Sequence, residues 1–330
     1  MKFGADCPAI CTLSTSRART TRNGRSWATA LFWCITMGIK EKILRISIKL
    51  GQEKDVWDAK GNDTLVVEGL RASCQINYGN GSLMPSARIK VYGLRLETMM
   101  KLLRVRWNTE QAMMNLVQVE AGEQGNMSVV YTGNITFAYP DMGGAPDVAL
   151  VIESHTAVLW QLKPAEAVSN EGETNVAAVI ESLCAKMGRK FENNGVNAKI
   201  SNQYLSGTEL DKIRQIAAHA GVDVYIDNET IAIAPKGQPR MIDVPVLSPK
   251  TGLIGYPVPD LQGIKLRCLY DKALRFGGLL EVEGSQIESC NGKWRVFGMS
   301  LDLECKTPNG KWFADIKAAD VEDMNVKVAK

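Results

Sequence analysis

Leu44-Arg45-Ile46-Ser47-Ile48-Lys49-Leu50 puts an apolar side chain at every second position with Arg45, Ser47 and Lys49 between them. That is the period of two of a half-buried β-strand. The same signature spreads outward from it. A turn-rich Gly61-Asn62-Asp63 leads to a strand at 65–76, and Asn80-Gly81 is a hairpin turn signal before a strand at 87–92. Leu96, Met99, Met100 and Leu103 then recur at helical spacing. Strands are predicted again at 116–121, 127–132, 135–139, 148–153 and 156–162, with a loop at 141–146. The first region, 37–165, is therefore β-rich with one helix.

The pattern changes over 170–236. Val176, Val179, Ile180, Leu183, Cys184 and Met187 share one helical face, capped by Thr174 or Asn175 and stopped by Gly188. Ser206 with Glu209 predicts a capping box for a second helix carrying Leu210, Ile213 and Ile216 and ending at Gly221. A hairpin follows, 222–226 to 230–234, turning at Asp227-Asn228. From 241 to 318 the chain is β again, with a turn cluster at 248–252 and strands at 264–270, 279–283, 293–303 and 312–317. Asn-Gly-Lys-Trp occurs at 291–294 and at 309–312, each an Asn-Gly turn launching a strand through a tryptophan. Residues 319–330 read as a tail. The order β, α+β, β is not the βαβ alternation of a doubly wound nucleotide-binding fold.

Composition narrows the function. The chain has 330 residues, 45% of them hydrophobic and 23% charged, as in ordinary soluble domains. It has no apolar run of the roughly 18 residues that a membrane-spanning helix requires. The net charge of +3 is uneven: residues 1–36 carry five Lys/Arg and one acid, and the remainder carries 34 bases and 35 acids. A near-neutral body disfavours a fixed nucleic-acid-binding face, which needs a basic excess. None of the eight cysteines has zinc-site spacing, which leaves them as small buried hydrophobes. The leader 1–36 joins a polar, basic run to a short apolar segment at 27–36. It has two readings: a disordered or mis-assigned tail ahead of a start at Met37, or a targeting segment. The absence of a small-x-small cleavage site favours the first.

Two stretches carry a family resemblance. One is Ser248-Pro-Lys-Thr-Gly-Leu-Ile-Gly-Tyr-Pro257 with Gly263-Ile-Lys-Leu-Arg-Cys-Leu-Tyr270, Gly277-Gly278 and Gly292-Lys-Trp-Arg-Val296. The other is Gly69-Leu-Arg-Ala-Ser-Cys74 running into Ala87-Arg-Ile-Lys-Val-Tyr-Gly-Leu94. Over roughly 40–318 the chain resembles the baseplate hub proteins of tailed bacteriophages. The resemblance implies a β-rich α+β fold: two tube-like antiparallel β-barrel domains (37–165 and 241–318) separated by a small α+β insert (170–236). It also implies a homotrimeric ring with pseudo-sixfold symmetry, a structural virion protein of the tail baseplate assembled in the host cytoplasm. Its expected partners are the tail tube protein, the central spike protein and other baseplate components. DNA would pass only transiently through the lumen during ejection.

The residues themselves point to no catalytic, cofactor or metal site. His155 and His219 lack partners at ligand spacing, and Ser154-His155 are neighbours on a strand, where side chains point to opposite faces. There is no Gly-x-Ser-x-Gly elbow and no Walker loop. Glu166, Glu171 and Glu173 lie in a polar linker and read as solvated. In Met99-Met100 and Met113-Met114 one member of each pair is expected in the core. The sequons at Asn80, Asn134 and Asn228 read as incidental. The alternatives to a structural role are a tail-tip cell-wall hydrolase and a cell-envelope-binding module. The second would use the scattered aromatics Phe191, Tyr204 and Tyr225 of the insert.

Overall fold

The computed structural model describes residues 41–51, 56–79, 84–103 and 114–321. The leader, the Asn80-Gly81 turn, Met113 and residues 322–330 lie outside them. The first β-region comprises β1 (Lys42–Lys49), β2 (Thr64–Glu68), β3 (Ala72–Tyr78), β4 (Ser86–Tyr92), the short helix α1 (Leu96–Met100), β5 (Leu116–Glu123), β6 (Asn126–Asp141) and β7 (Ala149–His155). Leu44, Ile46 and Ile48 of β1 are buried and the residues between them are not, as the alternation predicts.

Three strand assignments change here. The predicted strand 65–76 is two, because the backbone turns at Gly69, whose φ of +79° suits a residue without Cβ. The predicted strands 127–132 and 135–139 are one, β6, which absorbs register shifts instead of breaking. Residues predicted as a strand at 156–162 form a helical turn, α2 (Val158–Leu162), after Ala157 takes a left-handed φ of 62°.

The insert comprises β8 (Val168–Asn175), α3 (Val176–Lys186), β9 (Lys190–Asn193), β10 (Lys199–Leu205), α4 (Glu209–Ala220), β11 (Val222–Asp227) and β12 (Thr230–Pro235). Asn175 caps α3 by accepting from the Ala177 and Ala178 amides. The α4 cap lies two residues beyond the predicted Ser206: Thr208 and Asp211 form the reciprocal box, and Glu209 is already helical. Strands β9, β12 and β11 form one small sheet, and β8 pairs with β10.

The last region holds β13 (Val246–Leu247), β14 (Leu253–Asp260), β15 (Gly263–Leu269), β16 (Leu279–Val282), β17 (Gly292–Cys305) and β18 (Trp312–Asp320). Strand β18 runs two residues into the predicted tail. Trp294 and Trp312 are both buried, at the start of their strands' pairing.

The architecture is strand-rich with few helices, and the two β-regions share one 13-stranded sheet. Its path runs β14-β15-β18-β17-β3-β4-β7-β6-β5-β1-β2, with β16 and then β13 branching from β17. The junction is β17, fourteen residues long. Its first residues pair with β16, and Met299–Cys305 pair with β3. The inward side chains of both regions, from Ile46 and Ile89 to Leu266 and Ile316, belong to one core. Among the described residues no hydrogen-bonded pairing closes either region into a barrel of its own.

The hairpin β11–β12 is buried on both faces. Val224, Ile226, Ile231 and Ile233 pack with α3 and α4, whereas Tyr225, Ala232 and Ala234 join the core of the large sheet. Two-sided burial explains its near-continuous apolar run.

Candidate assembly surfaces and the insert clamp

The residues weighed for chemistry are dispersed. Ser154 is buried and its hydroxyl is used twice, accepting from Tyr131 OH at 3.0 Å and donating to the Asn134 carbonyl at 2.8 Å. His155 ends β7 and His219 sits in the last turn of α4. Glu171 and Glu173 lie on β8, the latter paired with Lys199 at 3.2 Å. The carbonyl of Glu166 accepts from Lys212, whose fully buried ammonium also meets Glu209. Met99 is buried and Met100 exposed. Asn134 and Asn228 are buried, which bars them as glycan acceptors in the folded chain. Of the insert aromatics, only Tyr204 is exposed; Tyr225 is core and Phe191 packs on the insert's own core. Among the described residues no three His, Cys, Asp or Glu side chains are grouped to hold a metal ion. The five cysteines among the described residues are free and buried, and burial pushes the Cys184 and Cys268 thiols up to about 12, so neither is a ready nucleophile.

What the structure does bring together is a charged clamp at the foot of the insert. Arg240 is 5% exposed. It reaches Glu192 through two bonds, Nε–Oε1 at 3.1 Å and Nη2–Oε2 at 2.7 Å, and Asp227 through Nη1–Oδ2 at 2.9 Å. It also donates to the Phe276 carbonyl at 3.1 Å. Burial disfavours its charge, but the hydrogen bonds to Glu192 and the attraction of Asp227 outweigh that, and its pKa is raised. Hydrogen bonding to Arg240 correspondingly holds the Glu192 carboxyl below its ordinary value. Sequence reading missed this cluster because its members are 13 and 48 positions apart and none belongs to a spaced motif.

Beside the clamp, Tyr225 seats its ring on Gly277. A Cβ at that position would meet the ring at 2.6 Å, and the backbone φ is +80°. Tyr225 also meets Phe276 edge-on, with centroids 5.7 Å apart, and its hydroxyl accepts from Arg295 at 2.7 Å. Gly277 of the Gly277-Gly278 pair thus has a packing reason. The insert touches the first β-region through the Asn228 amide oxygen, which accepts from the Thr132 amide at 3.0 Å. A cleft of 780 Å³ opens there, lined by Lys190, Glu229, Asp243, Lys272 and Arg275 among others. Its mixed charges favour neither an anion nor a cation.

The second surface lies at the ends of the sheet. Among the described residues, strands β14 and β2, the two ends of the sheet's main path, each pair on one side only, as does the two-residue β13 on its branch. On β14 Ile254, Tyr256 and Val258 are exposed, and Leu261 stands fully in solvent at the hairpin tip; on β2 the exposed apolar residue is Val66. Pro257 and Pro259 remove two N–H donors from β14.

No curated protein sequence matches the chain. Similar solved structures include the 43 kDa tail protein of prophage MuSo2 from Shewanella oneidensis, with a TM-score of 0.54 at 10% identity, covering 86% of this chain and 98% of that one. A tail protein from Neisseria meningitidis gives 0.54 at 10% identity, covering 84% and 96%. An Escherichia coli component of the type VI secretion system, described as structurally similar to the T4 phage tail proteins gp27 and gp5, gives 0.50 at 10% identity, covering 76% and 73%. At such identities these likenesses speak to the fold. No helix of the described residues is long and apolar enough to cross a membrane. The family model described as baseplate hub gp41 matches residues 43–312, most of the chain, and the protein therefore belongs to that family of structural phage tail components.

Proposed function

We propose that the chain is the central hub of the baseplate, three copies of which close into a ring that adapts the tail tube to the central spike and lets DNA pass. Each copy contributes two tube-like β-regions, 37–165 and 241–318, so three copies supply six similar units to match a hexameric tube. The insert, 170–236, faces outward toward other baseplate components. The role is structural and non-enzymatic, in the virion tail, after assembly in the host cytoplasm.

The observation that carries this reading is that, among the described residues, β2 and β14 stand unfinished at opposite ends of the main path of one sheet. Open edges with apolar side chains are an aggregation hazard for a free-standing protein. Two different surfaces on one chain make a head-to-tail contact, and such contacts generate rings when the rotation closes. With two prolines on β14, that end meets its neighbour through side chains more than through backbone bonds. Light scattering coupled to size exclusion, followed by negative-stain imaging, tests the proposal. The expected result is three times the chain mass and a particle with a central hole. A monomer that stays monomeric beside tube and spike proteins overturns it.

A further inference from the structure

Asn-Gly-Lys-Trp occurs twice in the chain, and the fold treats the two copies differently. An asparagine followed by glycine is chemically labile. The glycine nitrogen can attack the asparagine's side-chain carbonyl carbon, because no Cβ crowds the approach. Among the described residues three asparagines precede a glycine: Asn194, Asn291 and Asn309.

Two of them are locked. Asn194 is buried; its Nδ2 donates to the Ile233 carbonyl at 3.2 Å, and its Oδ1 accepts from the Met241 amide at 2.7 Å. Asn291 bonds Ser285 reciprocally. Its Oδ1 accepts from the Ser285 amide at 2.9 Å, and its Nδ2 donates to the Ser285 carbonyl at 3.2 Å. Gly292 is already in register with Val282 of β16, and the Trp294 indole donates to the Cys290 carbonyl at 2.9 Å. Bringing the Asn291 amide carbon to the next nitrogen would break both side-chain bonds and disturb the first rung of the ladder.

Asn309 is held by neither device. It lies exposed between β17 and β18, third in the turn Thr307-Pro308-Asn309-Gly310, with a left-handed φ of 54°. A proline in second place and a left-handed residue in third are the features of a type II turn. No described residue hydrogen-bonds the Asn309 side chain. The Gly310 amide donates to the Thr307 carbonyl at 3.0 Å, and opening that one bond at an exposed turn releases the attacking nitrogen.

We propose that Asn309 is a site of spontaneous deamidation, and that the fold withholds the same reaction from Asn291 and Asn194. The Gly310 nitrogen bonds to Asn309 Cγ, the Cγ–Nδ2 bond breaks, and ammonia leaves with the proton that the Gly310 amide gives up. Water then opens the cyclic imide at either carbonyl, giving aspartate or isoaspartate. The reaction needs no oxidant and no enzyme. Either product sets a new carboxylate next to Gly310, which packs on Glu304. The turn then gathers negative charge at the end of β17 that pairs with β3. None of this depends on the hub reading.

The test incubates the full chain in warm, mildly alkaline buffer and weighs its peptides by mass spectrometry. Exchange of the amide for a carboxyl adds one mass unit. The expected result is conversion at Asn309 at least about tenfold faster than at Asn291 or Asn194, with aspartate and isoaspartate both present. In guanidinium, where the fold is gone, the three convert at similar rates. Asn309→Gln removes the gain at that turn, because the longer side chain must close a larger ring. Asn23 and Asn80 also precede glycine but lie outside the described residues, and their peptides are read separately. Equal rates at Asn309 and Asn291 in the folded chain overturn the proposal. So does an Asn309 that stays intact while folded and converts only in guanidinium, or a difference between the two copies that persists undiminished there.

Discussion

Arg240 and Arg267 both grip carboxylates bidentately, yet one is 5% exposed and the other's side chain 54%. At the insert clamp water is largely gone, so the arginine depends on Glu192, Asp227 and the Phe276 carbonyl for every bond it makes. On the open sheet face water competes at each atom, and the pair costs little to break. The same chemistry therefore fixes the insert's position in one place and adjusts a surface field in the other.

The difference is broken most sharply at Arg240. Arg240→Ala leaves Asp227 buried without its main cation and should cost about 3–5 kcal/mol. Amide hydrogen exchange should show protection lost in β9, β11 and β12 by about two or more orders of magnitude. Replacing Arg240, Glu192 and Asp227 together by apolar residues of similar volume should recover most of that loss, because no uncompensated charge is left. Next in size is Gly277→Ala, which combines a strained left-handed backbone with a methyl driven into the Tyr225 ring. A loss of about 2–3 kcal/mol is expected, read as a lower unfolding midpoint in urea with an unchanged slope. If Gly277→Ala is neutral, Tyr225 is not the seat of the insert.

Acid sharpens the comparison from the other side. Hydrogen bonding to Arg240 holds the Glu192 pKa below the unfolded value of about 4.3. The resulting stability is fully present above that value and is lost as pH falls through the lower, folded one. Stability measured between pH 7 and pH 3 should fall more steeply in the wild type than in Glu192→Gln, by no more than about 1.5 kcal/mol because the carboxylate is partly in water. Equal slopes would mean that Glu192 contributes nothing to the clamp.

How much of this was legible in the sequence divides along the same line. Period-two alternation marked β1 and β15, because each buries one face and wets the other, and the Asn-Gly-Lys-Trp turn marked the start of β18. The Asp227-Asn228 hairpin and the Asn175 cap were readable from local turn and cap chemistry. The strand β14 was not, since its exposed Ile254, Tyr256 and Val258 and its two prolines follow no core period. Nor was the merging of the two β-regions, which depends on β17 being long enough to pair with β16 and β3 at different ends. Ser206 and Thr208 both lie three residues before an acid, and sequence alone does not say which pair begins the helix. The clamp left no local signal. A lone Arg after a Gly-Gln-Pro turn looks solvated until the fold surrounds it.

The smallest expected effect on stability is at Asp315. Asp315→Asn breaks both bonds to Arg267, but the guanidinium remains wet and gains water in their place, so the loss should be under about 1 kcal/mol. Thermal melting that shifts by only a degree or two would agree with this. A change as large as that at Arg240 would mean the open face is covered by something that excludes water, such as a neighbouring copy. The comparison between the two arginines then becomes a probe of assembly. Measured on dissociated chains and again on rings, an Asp315→Asn cost that stays small in both places the pair on a wet surface. A cost that grows on ring formation places it in a subunit contact instead.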